Sequence, residues 1–406
     1  MTVGRPPAEE EERTIPAHDQ HPAHDPRQPD SPRSLQHERP RNHVWAATRR
    51  GIDTDAGLVL AHRGAPPPLV QGRLVVREDR ETHEERSLAV GATRSTGAGD
   101  RRRPEEPDPL RTCFERDRDR ILHANAFRRL AGKTQVFVFP ADHQRTRLTH
   151  ALEVAQVATA VARAVGLNVP LTEAIALGHD CGHGPGGHAS EDALDLYLPE
   201  GYNHAIWGAD VVLAPLNLCR ETLDGIRHHS WSLPTPTTPE GVVVSWADRC
   251  AYSAHDLEDA VRAGIVAVGD LPAEVADVVG RTRSEQLRTF VHALVASIAE
   301  HGVVGMDAVH AGGLAALRAF NYERIYMRPE SVAQGAAVID VLRALVDYFL
   351  ERPEALPVLT HPPDDPVRAV VAYVAGMTDR YAFDKAVQLL GWRQDRLPRG
   401  IDLPAA

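Results

Sequence analysis

The stretch RLTHALEVAQVATAVARAV, Arg147–Val165, decides the fold. Its apolar residues Leu152, Val154, Ala155, Val157, Ala158, Val161, Ala162 and Val165 recur mostly at i, i+3 and i+4, the spacing of a helix with a broad buried face. A second helix is expected from Thr172, after Pro170. It carries Ile175, Ala176 and Leu177 into Gly178-His179-Asp180 and breaks in the loop Gly182-His183-Gly184-Pro185-Gly186-Gly187-His188. Ser245–Asp259 has helical spacing too, and so do Glu274–His301, Met306–Tyr326, Ser331–Leu350 and Asp365–Trp392, with Pro and Gly clustered between them. Only Gly241–Ser245 reads as a strand. The expectation is an all-α bundle without internal repeats.

Four metal-type side chains punctuate these helices: His150, the adjacent pair His179 and Asp180, and Asp256. Two imidazoles and two carboxylates suit a hard-to-borderline divalent ion (Mn, Mg, Fe, Co or Zn) with positions left for water and substrate oxygens. No Cys pair has zinc-finger spacing. Asp248, Tyr252, Asp256 and Asp259 fall on one helical stripe, whose carboxylates repel unless a cation or water lies among them. Asp256 is the first choice as ligand and Asp259 the second, with a solvated acidic face as the plain alternative. Arg147, three residues before His150, suits a phosphate oxygen through its planar fork of donors; a surface arginine beside a satisfied core histidine is its plain alternative. His188 and Glu191, three apart, can form a proton-transfer pair in which the carboxylate fixes the ring. A flexible turn with solvated histidines is the other reading of that loop.

These residues, with Phe114–His123, Phe127–Val136, Trp246–Asp256, Phe320–Tyr326 and Gly376–Ala382, resemble the HD-domain deoxynucleoside triphosphate triphosphohydrolases of the bacterial dGTPase-like group, over roughly residues 111–391. The resemblance implies that His150, His179, Asp180 and Asp256 hold the metal and that His188 and Glu191 are catalytic. It places Gln135 at the deoxyribose, and Arg147 and His183 at the phosphates. It also implies a deoxynucleoside triphosphate substrate and a homo-oligomer. The chain departs from the family pattern at Gly186, where an aromatic is usual, at Ala205–Asp210, which lacks the usual Gln and Arg, and at Ala260, where many relatives place tyrosine. An HD phosphohydrolase acting on another nucleotide and a non-catalytic nucleotide-sensing regulator are the rival readings. Gln135 in its Lys-Thr-Gln-Val setting favours the deoxynucleotide.

Composition sets the limits. Residues 1–110 of the 406 hold 14 of the 31 prolines and none of the Cys, Phe, Tyr or Lys, so they are expected to be a disordered or low-order extension before a catalytic domain over 111–396. The net charge of −11 is spread, which disfavours a dedicated nucleic-acid surface, although Arg101–Arg103 and Arg116–Arg120 could hold a polyanion. Four cysteines without framework spacing indicate a reducing compartment. No signal peptide and no 18-residue apolar run is found, so a cytoplasmic protein without membrane contact is expected.

Overall fold

The computed structural model describes residues 51–54, 56–62, 66–67, 72–140 and 143–399. The chain divides into two compact units, Met1–Arg73 and Leu74–Ala406. In the first, β1 (Ile52–Asp53) pairs antiparallel with β2 (Val59–Leu60). Residues 1–50, part of the expected low-order extension, lie outside the described residues.

The second unit begins well before the compositional break at residue 110, which corrects the expected boundary. Helix α1 (Arg77–Ser87) and the chain after it pack on the bundle through polar ties. Arg101 Nη1 meets the fully buried Asp117 at 2.6 Å, Thr93 Oγ1 donates to Glu240 at 2.7 Å, and Arg116 and Arg120 grip Glu105. Composition hid this because the arginines and acids of the segment are used as internal ion pairs, and Ala92 is its one side chain in the apolar core.

The unit is all-α. The first set of helices is α2 (Cys113–His123), α3 (Asn125–Arg129), α4 (Arg147–Val165), α5 (Val169–Gly178), α6 (Ala189–Leu194), α7 (His204–Trp207), α8 (Arg220–Arg227) and α9 (Pro239–Arg262). After them come α10 (Ala273–Val278), α11 (Arg283–His301), α12 (Ala308–Asn321), α13 (Pro329–Glu351), α14 (Pro366–Ala375) and α15 (Asp379–Leu390). Helix α4 runs as its periodicity predicts and stops at Gly166, whose φ of 72° makes a left-handed cap. Helix α5 starts three residues earlier than expected, because Asn168 caps it and Pro170 is tolerated in the first turn. Gly241–Ser245 is not a strand: Thr238 caps α9 and Pro239 opens it, so Val242, Val243 and Val244 run inside that helix. Two long predicted helices are broken in two, by the Thr282–Glu285 capping box at α11 and by Gly376 with the Thr378 cap at α15.

Two apolar clusters organise the bundle. One joins α2, α4, α5, α8, α9, α11 and α12; the other joins α6 to α13, α14 and α15. Val154, Val157 and Val161 of α4 and Leu171, Ile175 and Leu177 of α5 are all buried, each contributing about 1.5–3 kcal/mol on transfer from water. Helices α4, α5 and α9 pack on one another, and each brings a polar residue to their meeting point.

Candidate metal centre and its catalytic loop

His150 stands in the first turn of α4, His179 and Asp180 directly follow α5, and Asp248 lies ten residues into α9. Their side chains converge. His150 Nε2 is 3.0 Å from Asp248 Oδ1 and 3.9 Å from Asp180 Oδ2; His179 Nε2 is 3.5 Å from Asp180 Oδ1 and 3.7 Å from Asp248 Oδ1. His179 donates its Nδ1–H to the Ala176 carbonyl at 2.7 Å, which leaves Nε2 a bare lone pair, buried and without a hydrogen-bond partner among the described residues. An imidazole oriented this way, among carboxylates at these spacings, is a ligand set for a divalent ion. The residues fit the metal that the sequence implies.

The α9 carboxylate in this group is Asp248, not Asp256, and the expectation for Asp256 is corrected on that geometry. The two share a stripe, but eight residues separate them by about 12 Å along the axis. Sequence periodicity gives the face of a helix and not the level at which its neighbours cross it. Asp256 instead accepts a hydrogen bond from Tyr326 at 2.5 Å, and burial pushes its carboxyl up to about 7. Asp259 is held by Arg145, whose Nη1 approaches at 2.5 Å.

Arg147 donates from Nη1 to Asp180 Oδ2 at 2.6 Å, while its buried Nε has no hydrogen-bond partner among the described residues. Burial raises the Asp180 carboxyl, but Arg147 and the histidines outweigh it and hold the group well below the usual range. His183 places Nε2 at 3.2 Å from Asp180 Oδ1, and its ring stacks on His204. Gln135, between the structured ends of α3 and α4, has a side-chain oxygen without a partner among the described residues.

The loop after Asp180 carries the proton-transfer pair. His188 is 73% exposed at its side chain and donates Nδ1–H to Glu191 Oε2 at 2.8 Å. The other oxygen, Oε1, accepts from His204 Nδ1 and from the His204 backbone N–H, both at 2.9 Å. Burial opposes ionisation of Glu191, but these histidine bonds outweigh it and keep the carboxylate charged. The loop approaches its surroundings closely. At Gly187, with φ of 65°, a Cβ would lie 2.8 Å from Arg147 Nη2 and 3.0 Å from the Thr134 carbonyl. At Gly186, with φ of 72°, it would lie 2.4 Å from Val338 Cγ1 on α13, so this chain has no room there for a side chain without a shift of that valine.

Sequence reasoning missed Asp248, His204, His229 and Arg249 as functional candidates. His229 follows α8 in a run with no flanking pattern, and burial pushes it down to about 3, so it is neutral. Arg249 stacks its guanidinium 3.5 Å over the Trp231 ring and carries no carboxylate partner among the described residues. Burial and then the nearby Arg318 lower its pKa, the mark of an under-neutralised cation. The signal the sequence offered was its place directly after Asp248, which lies on the acidic stripe of the same helix. Of the family's other usual positions, Trp207 packs on Tyr202, Asp210 is paired with Arg227, and Ala260 is buried in the core.

An all-α bundle that presents histidines and aspartates from α4, the end of α5 and α9 defines an HD-type phosphohydrolase. Residues 147–253 match the HD domain family, and residues 304–388 match the phosphohydrolase-associated domain. A deoxyguanosinetriphosphate triphosphohydrolase-like protein of Caldanaerobacter subterraneus is 40% identical over 320 residues, covering 76% of this chain and 94% of the relative. Proteins of the same description from Desulfatibacillum aliphaticivorans and Deinococcus radiodurans are 38% and 37% identical, covering 77% and 78% of this chain and 97% and 100% of theirs. The chain belongs to the deoxyguanosinetriphosphate triphosphohydrolase-like family. Among the described residues no helix is long and apolar enough to cross a membrane.

Proposed function

We propose that this protein hydrolyses deoxynucleoside triphosphates to deoxynucleoside and inorganic triphosphate. The observation that carries the reading is the pairing of a donor set, the buried His150, His179 and Asp180 with the partly exposed Asp248, with an exposed His188 backed by Glu191 in the next turn of chain. A divalent ion held by those four residues supplies charge that polarises a phosphoryl oxygen and acidifies a water.

The chain's own groups do the rest. His188 has its Nδ1–H committed to Glu191, so its exposed Nε2 is free to give or take a proton. Departure of a 5′-oxygen at neutral pH needs such a proton, and Glu191 stabilises the ring in its charged form. Arg147, His183 and Arg249 are assigned to the charge of the phosphate chain, in a setting where preorganised cations are worth several kcal/mol. Gln135, with its unpartnered oxygen, is assigned to a deoxyribose hydroxyl, which would supply the donor that oxygen lacks.

The test is release of inorganic triphosphate from each of the four deoxynucleoside triphosphates with Mn²⁺, by wild type, Asp248→Asn and Asp256→Asn. Asp248→Asn is expected to lose bound metal and activity together. Asp256→Asn is expected to keep its metal. Absence of triphosphate release from all four substrates by the metal-loaded wild type would reject the reaction.

A further inference from the structure

Two buried thiols meet where three segments of the chain cross, and nothing in the proposed reaction uses them. Cys113 opens α2, and Cys219 directly precedes α8. The turn over residues 96–99 lies against both. Gly99 has a φ of 79°, and a Cβ there would lie 2.4 Å from Cys219 Sγ and 3.3 Å from Cys113 Sγ. Both sulfurs therefore face one point, which only glycine leaves empty. Gly99 is itself partly exposed, so a single backbone turn separates the pair from solvent on this side. The backbone around them is held fast: the Cys219 N–H donates to the buried Asp117 Oδ2 at 2.7 Å, and Cys219 forms an antiparallel bridge with Arg101.

The surroundings give the two thiols different roles. Cys113 stands in the first turn of an 11-residue helix, and the Arg101 guanidinium donates to its carbonyl at 2.9 Å. A helix start and a nearby cation both favour a thiolate, the reactive form. Cys219 directs its S–H at the Cys113 sulfur and so lowers that thiol against the effect of burial, helped by the Thr96 N–H. The same contact, together with burial, raises Cys219. The helices that the two residues open also meet at the metal centre. A Cβ on Gly178, the residue before His179, would lie 2.5 Å from Ile226 Cδ1 of α8 and 3.3 Å from Ile121 Cδ1 of α2. The end of α5 is thus wedged between α2 and α8.

We propose that Cys113 and Cys219 are a redox modification site, which takes a hydroperoxide as its oxidant and closes to a disulfide that restrains the metal centre. The Cys113 thiolate attacks one peroxide oxygen; the O–O bond breaks, water leaves, and Cys113 becomes a sulfenic acid. Cys219 then attacks that sulfur, the S–S bond forms, the S–O bond breaks, and a second water leaves. Two thiols lose two electrons, hydrogen peroxide gains them, and the two thiol protons end in the two waters. Bonded sulfurs sit about 2.05 Å apart, closer than thiols in contact, so closure draws the starts of α2 and α8 together. That movement shifts the hold of Ile121 and Ile226 on Gly178, and with it His179. This last link alone rests on the centre proposed above.

The test treats the full chain, reduced and stripped of metal, with hydrogen peroxide, removes the peroxide with catalase and then titrates Mn²⁺. Intact mass and peptide mapping are expected to show the loss of two hydrogens and one Cys113–Cys219 peptide, with Cys181 and Cys250 still open to alkylation after unfolding. The oxidised protein is expected to bind Mn²⁺ about tenfold or more weakly, the range for a disturbed outer partner of a ligand, and to release triphosphate correspondingly more slowly. Dithiothreitol is expected to restore both. Cys219→Ser, whose hydroxyl suits the position before a helix, should match reduced wild type, form no disulfide and yield a Cys113 sulfenic acid that dimedone traps. A wild type that keeps all four thiols free in peroxide, or that pairs other cysteines, overturns the site without any variant. A Cys113–Cys219 disulfide that leaves Mn²⁺ affinity and turnover unchanged overturns the restraint on the metal centre. A reduced wild type that binds no Mn²⁺ and releases no triphosphate overturns that centre and the restraint with it, while the mass still decides the disulfide.

Discussion

Asp379 is neither a ligand candidate nor a proton carrier, yet it should govern both stability and turnover. It occupies the first position of α15, only 3% exposed, and reaches across to the loop between Asp180 and His188. Oδ1 accepts from the Gly186 N–H at 2.9 Å; Oδ2 accepts from the Thr134 N–H at 3.0 Å and the Thr134 hydroxyl at 2.6 Å. Lys133, next in chain to Thr134, donates from Nζ to the carbonyls of His183 and Ala375, and burial pushes it down to about 8. Asp379→Ala strands two backbone N–H groups at about 1–3 kcal/mol each and loses a hydroxyl bond worth about 1 kcal/mol. Relief of the burial that raises the Asp379 carboxyl offsets part of this, so the net loss should be about 3–5 kcal/mol. Asp379→Asn keeps one acceptor and should lose about 1–2 kcal/mol. Urea denaturation gives the stability, elemental analysis the metal and triphosphate release the rate. Asp379→Asn is expected to keep its metal and lose turnover about tenfold or more, because the loop that aims His188 is loosened. Asp379→Ala within 1 kcal/mol of wild type, or Asp379→Asn with full turnover, would refute the loop tie.

Three further outcomes follow from the same geometry. His188→Ala should keep its metal and lose about a hundredfold or more in turnover, with Glu191→Gln milder, since an amide positions the ring without stabilising its charge; metal content beside product release reads both. Asp256, raised to about 7 from an ordinary 3.8, binds its proton more tightly folded than unfolded. The stability this gives is complete below about pH 4 and fades as pH rises to 7, so in chelated protein the difference between wild type and Asp256→Asn should fall across that window by up to roughly 4 kcal/mol; a flat difference by urea melts would rule it out. Deleting residues 1–73 should leave the second unit cooperative, whereas deleting 1–105 removes Arg101 from the buried Asp117 and should cost at least about 3–5 kcal/mol; equal melts for both truncations would return the boundary to residue 110.

What the sequence made legible was whatever depends on neighbours along the chain. Periodicity in Arg147–Val165 gave a buried helix, and the i, i+3 spacing of His188 and Glu191 gave a hydrogen-bonded pair. The errors share a cause: each depended on where separate segments cross. Asp248 and Asp256 are equivalent on their stripe, and only the packing of α9 on α4 and α5 selects the upper one. His204 and His229 stand 25 residues apart, in a four-residue helix and a turn, with no periodicity to mark them. The loop departure is read in the same way. Gly186 looked like a lost aromatic contact, but its left-handed backbone and the closeness of Val338 on α13, more than a hundred residues later, show a position that a side chain would strain. Gly186→Ala, which strains that backbone and presses on Val338, should therefore disturb the loop more than the native glycine does.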